Sequence, residues 1–99
     1  MNNTNMLSLE SVLVQQAGNI ASDMDGEKVM LNVKNGKYYN LGEVGGEIWN
    51  ALASPAPVSL VVETIKDNFE VSAELAERDV FSFLQHLLEE DLIEFVSRP

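Results

Sequence analysis

Two turn dipeptides, Asp25-Gly26 and Asn35-Gly36, bracket a run of alternating apolar and polar residues, and they constrain this 99-residue chain more than any other feature. Tight hairpin turns of type I′ need positive φ at both central positions, which Asn, Asp and Gly tolerate and most residues resist. Between the dipeptides, Glu27 to Val33 (EKVMLNV) places Val29, Leu31 and Val33 on one face of a strand and Lys28, Met30 and Asn32 on the other. The chain therefore reverses on either side of this strand. Before it, the β-branched run SVLVQQA from Ser11, ended by Gly18-Asn19, predicts a first strand. After it, Gly36 to Leu41 (GKYYNL) predicts a third, with Tyr39 and Leu41 on one face and Tyr38 and Asn40 on the other. The expectation is a three-stranded antiparallel meander.

Beyond Leu41 the apolar period changes from two to nearly four. Val44, Ile48 and Leu52 recur at steps of four with Trp49 beside them, predicting a helix over EVGGEIWNALA, its Gly45-Gly46 pair read as close packing against the sheet. Ser54-Pro55-Ala56-Pro57 breaks it. Ser59 is the expected cap of a second helix that buries Leu60, Val62, Ile65 and Phe69 in part. Ser72, with Glu74 in the first turn, opens the longest helical segment, Ala73 to Glu90. At about 100° per residue from Asp79, the residues Ala76, Val80, Phe83, Leu84 and Leu87 fall at roughly 40° to 140°, a core stripe. Leu88 and Phe81, at about 180° and 200°, widen it, with Glu77 at about 160° as the one charge among them. The wide arc reads either as packing on the first two helices or as a surface that meets a second molecule. Leu92 to Val96 (LIEFV) closes the chain as a short strand or extended tail, and the polar, Asn-rich residues 1 to 10 read as a tail ahead of one domain over 11 to 99.

Charge and residue inventory exclude several function classes. Sixteen acidic residues against six basic ones give a net charge of −10, which repels both nucleic acid and an anionic membrane surface. No cysteine is present, so disulfides, thiolate metal sites and a Cys nucleophile are absent together. No basic, apolar leader segment opens the chain and no long apolar run follows, so the expectation is a soluble cytoplasmic protein. The single histidine, His86, lacks companions at metal-ligand spacing, and no serine sits in a nucleophile motif. Asp23-Met24-Asp25-Gly26-Glu27 is only a fragment of a calcium loop. The expectation is no catalytic residue, no metal and no cofactor. What remains is a small sheet with an edge strand, whose unpaired N–H and C=O groups can accept an extended peptide.

Order and residues together resemble one family. The strand-to-helix junction follows the pattern L-N-x-x-(G/A)-x-x-I-W-x-x-L at Leu41, Gly45, Ile48, Trp49 and Leu52, and the pattern D-V-x-x-F-L-x-x-L-x-x-x-x-L-(I/L) is met by Asp79, Val80, Phe83, Leu84, Leu87, Leu92 and Ile93. Spaced over residues 11 to 96, these motifs resemble the PqqD-like proteins, whose prototype serves pyrroloquinoline-quinone biosynthesis. Gly42 stands where the family commonly has Asn, and Asp91 where it often has Gly.

The resemblance implies an α+β, winged-helix-like fold, a three-stranded antiparallel sheet followed by three helices, that acts as a non-catalytic RiPP recognition element. Such a domain binds the leader segment of a ribosomally made precursor peptide. With YYNL in the third strand and an acidic balance, the chain looks most like the stand-alone leader-binding proteins of lasso-peptide clusters, whose partners are a separate cysteine-protease-like leader peptidase and a cyclase. On this reading Lys37, Tyr38, Tyr39, Asn40 and Leu41 supply the main-chain ladder, and Glu77, Phe81, Leu84 and Leu88 of the third helix supply the side-chain groove. Two other readings stand beside it. One is a PqqD-like carrier for a radical enzyme's peptide substrate, with the same groove. The other is a winged-helix transcription regulator, which needs a basic recognition helix where this chain has Glu74, Glu77, Asp79, Glu89 and Glu90 against Arg78.

Overall fold

The computed structural model describes residues 6 to 96, which form an α+β fold of two small antiparallel sheets and three helices. One sheet is a meander of β2 (Asn19–Met24), β3 (Glu27–Asn32) and β4 (Tyr38–Leu41) with β3 in the middle, and the other sets β1 (Val12–Gln15) between β5 (Ala56–Pro57) and β6 (Ile93–Phe95). The helices are α1 (Gly42–Ala51), α2 (Val58–Phe69) and α3 (Ala73–Glu89).

The first turn dipeptide does what its chemistry requires. Asp25 and Gly26 have φ of 55° and 82°, and Met24 pairs with Glu27 across a two-residue loop. The strand it joins to β3 is NIASDM, however, and not the Ser11 run. That run is the centre of the other sheet, where Leu13 is fully buried between Ala56 and Phe95. The second turn is wider than a two-residue hairpin. Asn32 N–H donates to the Lys37 carbonyl at 2.9 Å, leaving Val33 to Gly36 as the loop, in which Gly36 alone has a positive φ, 73°. Asn side chains hold it: the Asn35 N–H donates to Asn32 Oδ1 at 2.9 Å and the Lys37 N–H to Asn35 Oδ1 at 2.8 Å.

Of the two faces of β3, the one bearing Lys28, Met30 and Asn32 turns inward, with Met30 wholly buried. Helix α1 lies on this face, and its glycine pair makes the contact possible. A Cβ on Gly46 would stand 2.8 Å from Lys28 Cβ, and one on Gly45 would stand 2.6 Å from the Phe83 ring of α3. Leu41, at the N-cap of α1, makes no side-chain cap; the Gly42 N–H donates instead to Asn40 Oδ1 at 3.0 Å.

Helix α2 begins one residue before the expected cap. The N–H groups of Val58 and Ser59 donate to the carbonyls of Ser11 and Leu9 at 2.9 and 3.0 Å, so backbone does what a Ser59 hydroxyl was expected to do. The buried set is correspondingly Val58, Val61, Val62 and Ile65, and Leu60, expected inside, is 55% exposed. Leu7 and Leu9 pack on the core, which moves the start of the ordered domain ahead of Ser11 and corrects the expected tail over residues 6 to 10; its first five residues lie outside those described, as do 97 to 99 at the far end. Ser72 caps α3 as expected, accepting from the Leu75 N–H at 3.2 Å. At the other end Asp91 takes φ of 61°, its N–H donates to the Leu88 carbonyl and the Leu92 N–H to that of Leu87, which is the helix-stop geometry that favours glycine. Leu92 and Ile93 then enter the core, and LIEFV forms β6 against β1.

Candidate functional site

Strand β4 is an edge of the meander, hydrogen-bonded to β3 alone. Bonding direction alternates along an antiparallel pair. Since Asn32 and Lys37 form a hydrogen-bonded pair, the next such pair in this register is Met30 with Tyr39, while Leu31–Tyr38 and Val29–Asn40 are the non-bonded pairs between. Tyr38 and Asn40 therefore point their N–H and C=O groups away from β3, to the open edge.

A groove of about 530 Å³ runs beside that edge. Leu41, Val44, Gly45 and Ile48 form one side, where β4 passes into α1, and Asp79, Ser82, Phe83 and His86 of α3 form the other. Ile48 is buried at its base, and the missing side chain of Gly45 lets the half-buried Phe83 ring lie directly on α1. At the far end of β4 the strand is tied to the end of α3: Tyr39 donates its hydroxyl to Glu90 Oε1 at 2.9 Å, and Lys37 Nζ stands 3.6 Å from the same oxygen. The Tyr39 hydrogen bond, and then the Lys37 charge, hold the Glu90 carboxyl below its ordinary pKa of 4.5. Strand β4 is thus tied to the end of α3 by an ionic hydrogen bond, and α1 meets α3 beside the groove through the ring-on-glycine contact. The second edge of the meander, β2, is exposed along nearly its whole length.

The expected ladder residues Lys37 to Leu41 lie together at this edge, with Tyr39 and Leu41 turned toward the groove side and Tyr38 and Asn40 exposed. The helix residues expected beside them do not. Leu84 is fully buried in the core and does not line this groove. Leu88 lies near β6, in a cleft with Ile93, Glu94 and Phe95, and Phe81 is a half-buried packing residue. Glu77 is exposed on that same flank of α3, about half a helix turn from the Asp79–His86 side that faces β4. The residues missed are Phe83, assigned to the core on its angle, and Asp79, Ser82 and His86, read as polar surface. Their signal was the Gly45-Gly46 pair, which shows that something approaches α1 closely. Among the described residues no group of three His, Cys, Asp or Glu side chains could hold a metal ion, and no helix is long and apolar enough to cross a membrane.

A family model described as coenzyme PQQ synthesis protein D (PqqD) matches residues 27–93. No curated protein matches the chain. Among solved structures it is similar to TbiB1 in complex with the TbiA(beta) leader peptide, at 27% sequence identity and a TM-score of 0.75, covering 86% of this chain and 99% of that one.

Proposed function

The chain belongs to the PqqD family, and we propose that it is a non-catalytic recognition element that binds the leader of a ribosomal precursor peptide as a strand added to β4. The observation that carries this reading is the open edge at Tyr38 and Asn40 running beside an apolar groove. An added strand pairs its backbone with that edge and drops alternate side chains between β4 and α3, where Leu41, Val44, Ile48 and Phe83 receive apolar groups and Asp79 and His86 stand at the rim. The similarity to TbiB1, whose structure holds a leader peptide, supports the same mode of use. Backbone pairing supplies affinity that tolerates many sequences, and the groove supplies the choice among them.

The bound leader is then delivered to a separate cysteine-protease-like leader peptidase, in a lasso-peptide pathway that continues through a cyclase. Calorimetry with the two halves of the precursor tests the first step. The leader half binds and the core half does not; equal affinity for both would overturn leader recognition.

A further inference from the structure

Helix α3 has a second strand edge beside it, on the flank away from β4. Strand β6 pairs with β1 alone and ends its sheet. The Val96 N–H donates to the Val12 carbonyl at 2.9 Å and the Gln16 N–H to the Leu92 carbonyl at 3.0 Å, so Val14–Glu94 is the hydrogen-bonded pair between them. Ile93 and Phe95 therefore point their backbone N–H and C=O groups away from β1. The Ile93 carbonyl accepts from Gln16 Nε2 at 3.4 Å, which leaves both N–H groups and the Phe95 carbonyl on the edge. The opposite edge of the same sheet is of another kind: β5 is two residues long and ends in Pro57, which has no N–H to offer.

A cleft of about 500 Å³ lies between this edge and α3. The half-buried Leu88 stands on its helix side, about 200° around α3 from His86 of the other groove. On the strand side Phe95 pairs with the fully buried Leu13, so Ile93 and Phe95 face inward and Glu94 outward. Three carboxylates, Glu89, Asp91 and Glu94, line the cleft, no cation lines it, and among the described residues none of the three is in an ion pair. At the β4 end of α3, by contrast, Lys37 stands against Glu90.

Charge decides what such an edge can accept. A second copy, paired antiparallel about Glu94, would set Glu94 against Glu94 and bring together two chains of net charge −10. A strand with cations at the facing positions meets the opposite situation. We propose that the β6 edge is a second peptide-docking site, which takes an extended segment of a partner protein in which apolar and basic residues alternate. Its backbone pairs with Ile93 and Phe95, its apolar side chains enter the cleft beside Leu88 and Phe95, and its basic side chains meet Glu94, with Glu89 and Asp91 at the rim. The site is independent of leader binding at β4. Because the two edges lie on different flanks of α3, one chain holds a leader and a basic segment at the same time.

The test titrates the full chain with a short synthetic peptide of alternating valine and lysine and follows the backbone amides by NMR. The expected result is saturable shifts at Ile93 and Phe95 with Tyr38 and Asn40 unmoved, and no displacement by excess leader half of the precursor. Glu94→Lys and Gln85→Lys, at exposed positions on the two sides of the cleft, should each weaken the probe by about 10-fold or more and change leader affinity by less than about 2-fold. Asp67→Lys makes the same charge change as Glu94→Lys on the exposed face of α2 and should weaken the probe by less than about 2-fold. Equal weakening by Asp67→Lys and Glu94→Lys overturns the site in favour of unspecific attraction to an acidic chain, and the absence of saturable shifts overturns it outright. Probe shifts at Tyr38 and Asn40, or displacement by leader, assign the probe to β4 and overturn a second site. A leader half that itself shifts the β6 amides overturns the partner protein as the source, and sedimentation that finds wild-type dimers dissolved by Glu94→Lys overturns it in favour of a second copy. A chain that binds no leader but shows the β6 shifts refutes strand addition at β4 and leaves this site standing.

Discussion

Proline separates the two edges of β4. In the free protein the Tyr39 N–H faces β3 and the Asn40 N–H faces solvent, so the same substitution at adjacent residues removes a ladder bond in one case and an open donor in the other. Tyr39→Pro loses one backbone bond, worth about 1 kcal/mol, and leaves the Met30 carbonyl unpaired against the core at about 1–3 kcal/mol. It also loses the 2.9 Å bond from the Tyr39 hydroxyl to the Glu90 carboxylate. The sum is at least about 3 kcal/mol, and at about 4–8 °C per kcal/mol for a domain of this size the melting temperature should fall by about 12 °C or more. Asn40→Pro keeps the ladder. Its losses in the free state are the side-chain bonds to the Gly42 N–H and to Glu27, which Asn40→Ala loses as well, so the two variants should melt within about 3 °C of each other. Leader binding is where they part. A missing donor on the docking edge leaves a peptide carbonyl unpaired, costing about 1–3 kcal/mol or roughly 5- to 150-fold in Kd, in Asn40→Pro but not in Asn40→Ala. Calorimetric melts and titrations of the three variants decide the matter. Asn40→Pro melting as low as Tyr39→Pro would refute the assigned bonding directions, and Asn40→Pro binding leader as tightly as Asn40→Ala would refute docking on β4.

Three further outcomes follow from the same geometry. Phe83→Ala should weaken leader binding by about 1–3 kcal/mol, whereas Phe81→Ala and Leu88→Ala, on the flank away from β4, should lower the melting temperature and leave titrations with leader unchanged; the reverse pattern would return the groove to that flank. Asp91→Gly relieves a left-handed backbone and removes a carboxylate from the C-terminal end of α3, and against glycine's greater freedom when unfolded it should still stabilise by about 0.5–1 kcal/mol in denaturant melts. Glu90 has a folded pKa below 4.5, so its contribution to stability is complete above that value and is lost as pH falls through the folded pKa. Tyr39→Phe removes the largest cause, and carboxyl NMR titration should find the Glu90 midpoint moved up; an unmoved midpoint would refute the Tyr39 hydrogen bond as a cause.

What the sequence disclosed depends on how local the cause of each feature is. Asp25-Gly26 was legible because both residues of the turn carry its backbone requirement themselves. The strand it begins from, NIASDM, was not, because β2 is exposed on both faces and has no alternation to read; the turn alone implies that a strand must precede it, and the preceding β-branched run from Ser11 carries the stronger strand pattern. Ser59 failed as a cap for a different reason. The donors at the start of α2 are met by Leu9 and Ser11, nearly fifty residues earlier, and nothing near Ser59 announces them. The groove shows the same limit most clearly. Helical phase found the buried stripe of α3, since Ala76, Val80, Leu84 and Leu87 are all inside, but a wheel has no knowledge of which flank faces another element. It favoured the more apolar flank, Phe81 and Leu88, which is apolar because it packs on its own domain. A groove's flank can look polar in sequence, as Asp79, Ser82 and His86 do, when the groove's apolar content comes from elsewhere, here from Leu41, Val44 and Ile48. The residue that joins the two sides is Gly45. Adjacent glycines inside a helix cost about 1 kcal/mol each relative to alanine, so their presence in α1 calls for a close approach on each side. One is met by Lys28 and the other by Phe83, and the second contact sets the wall of the groove.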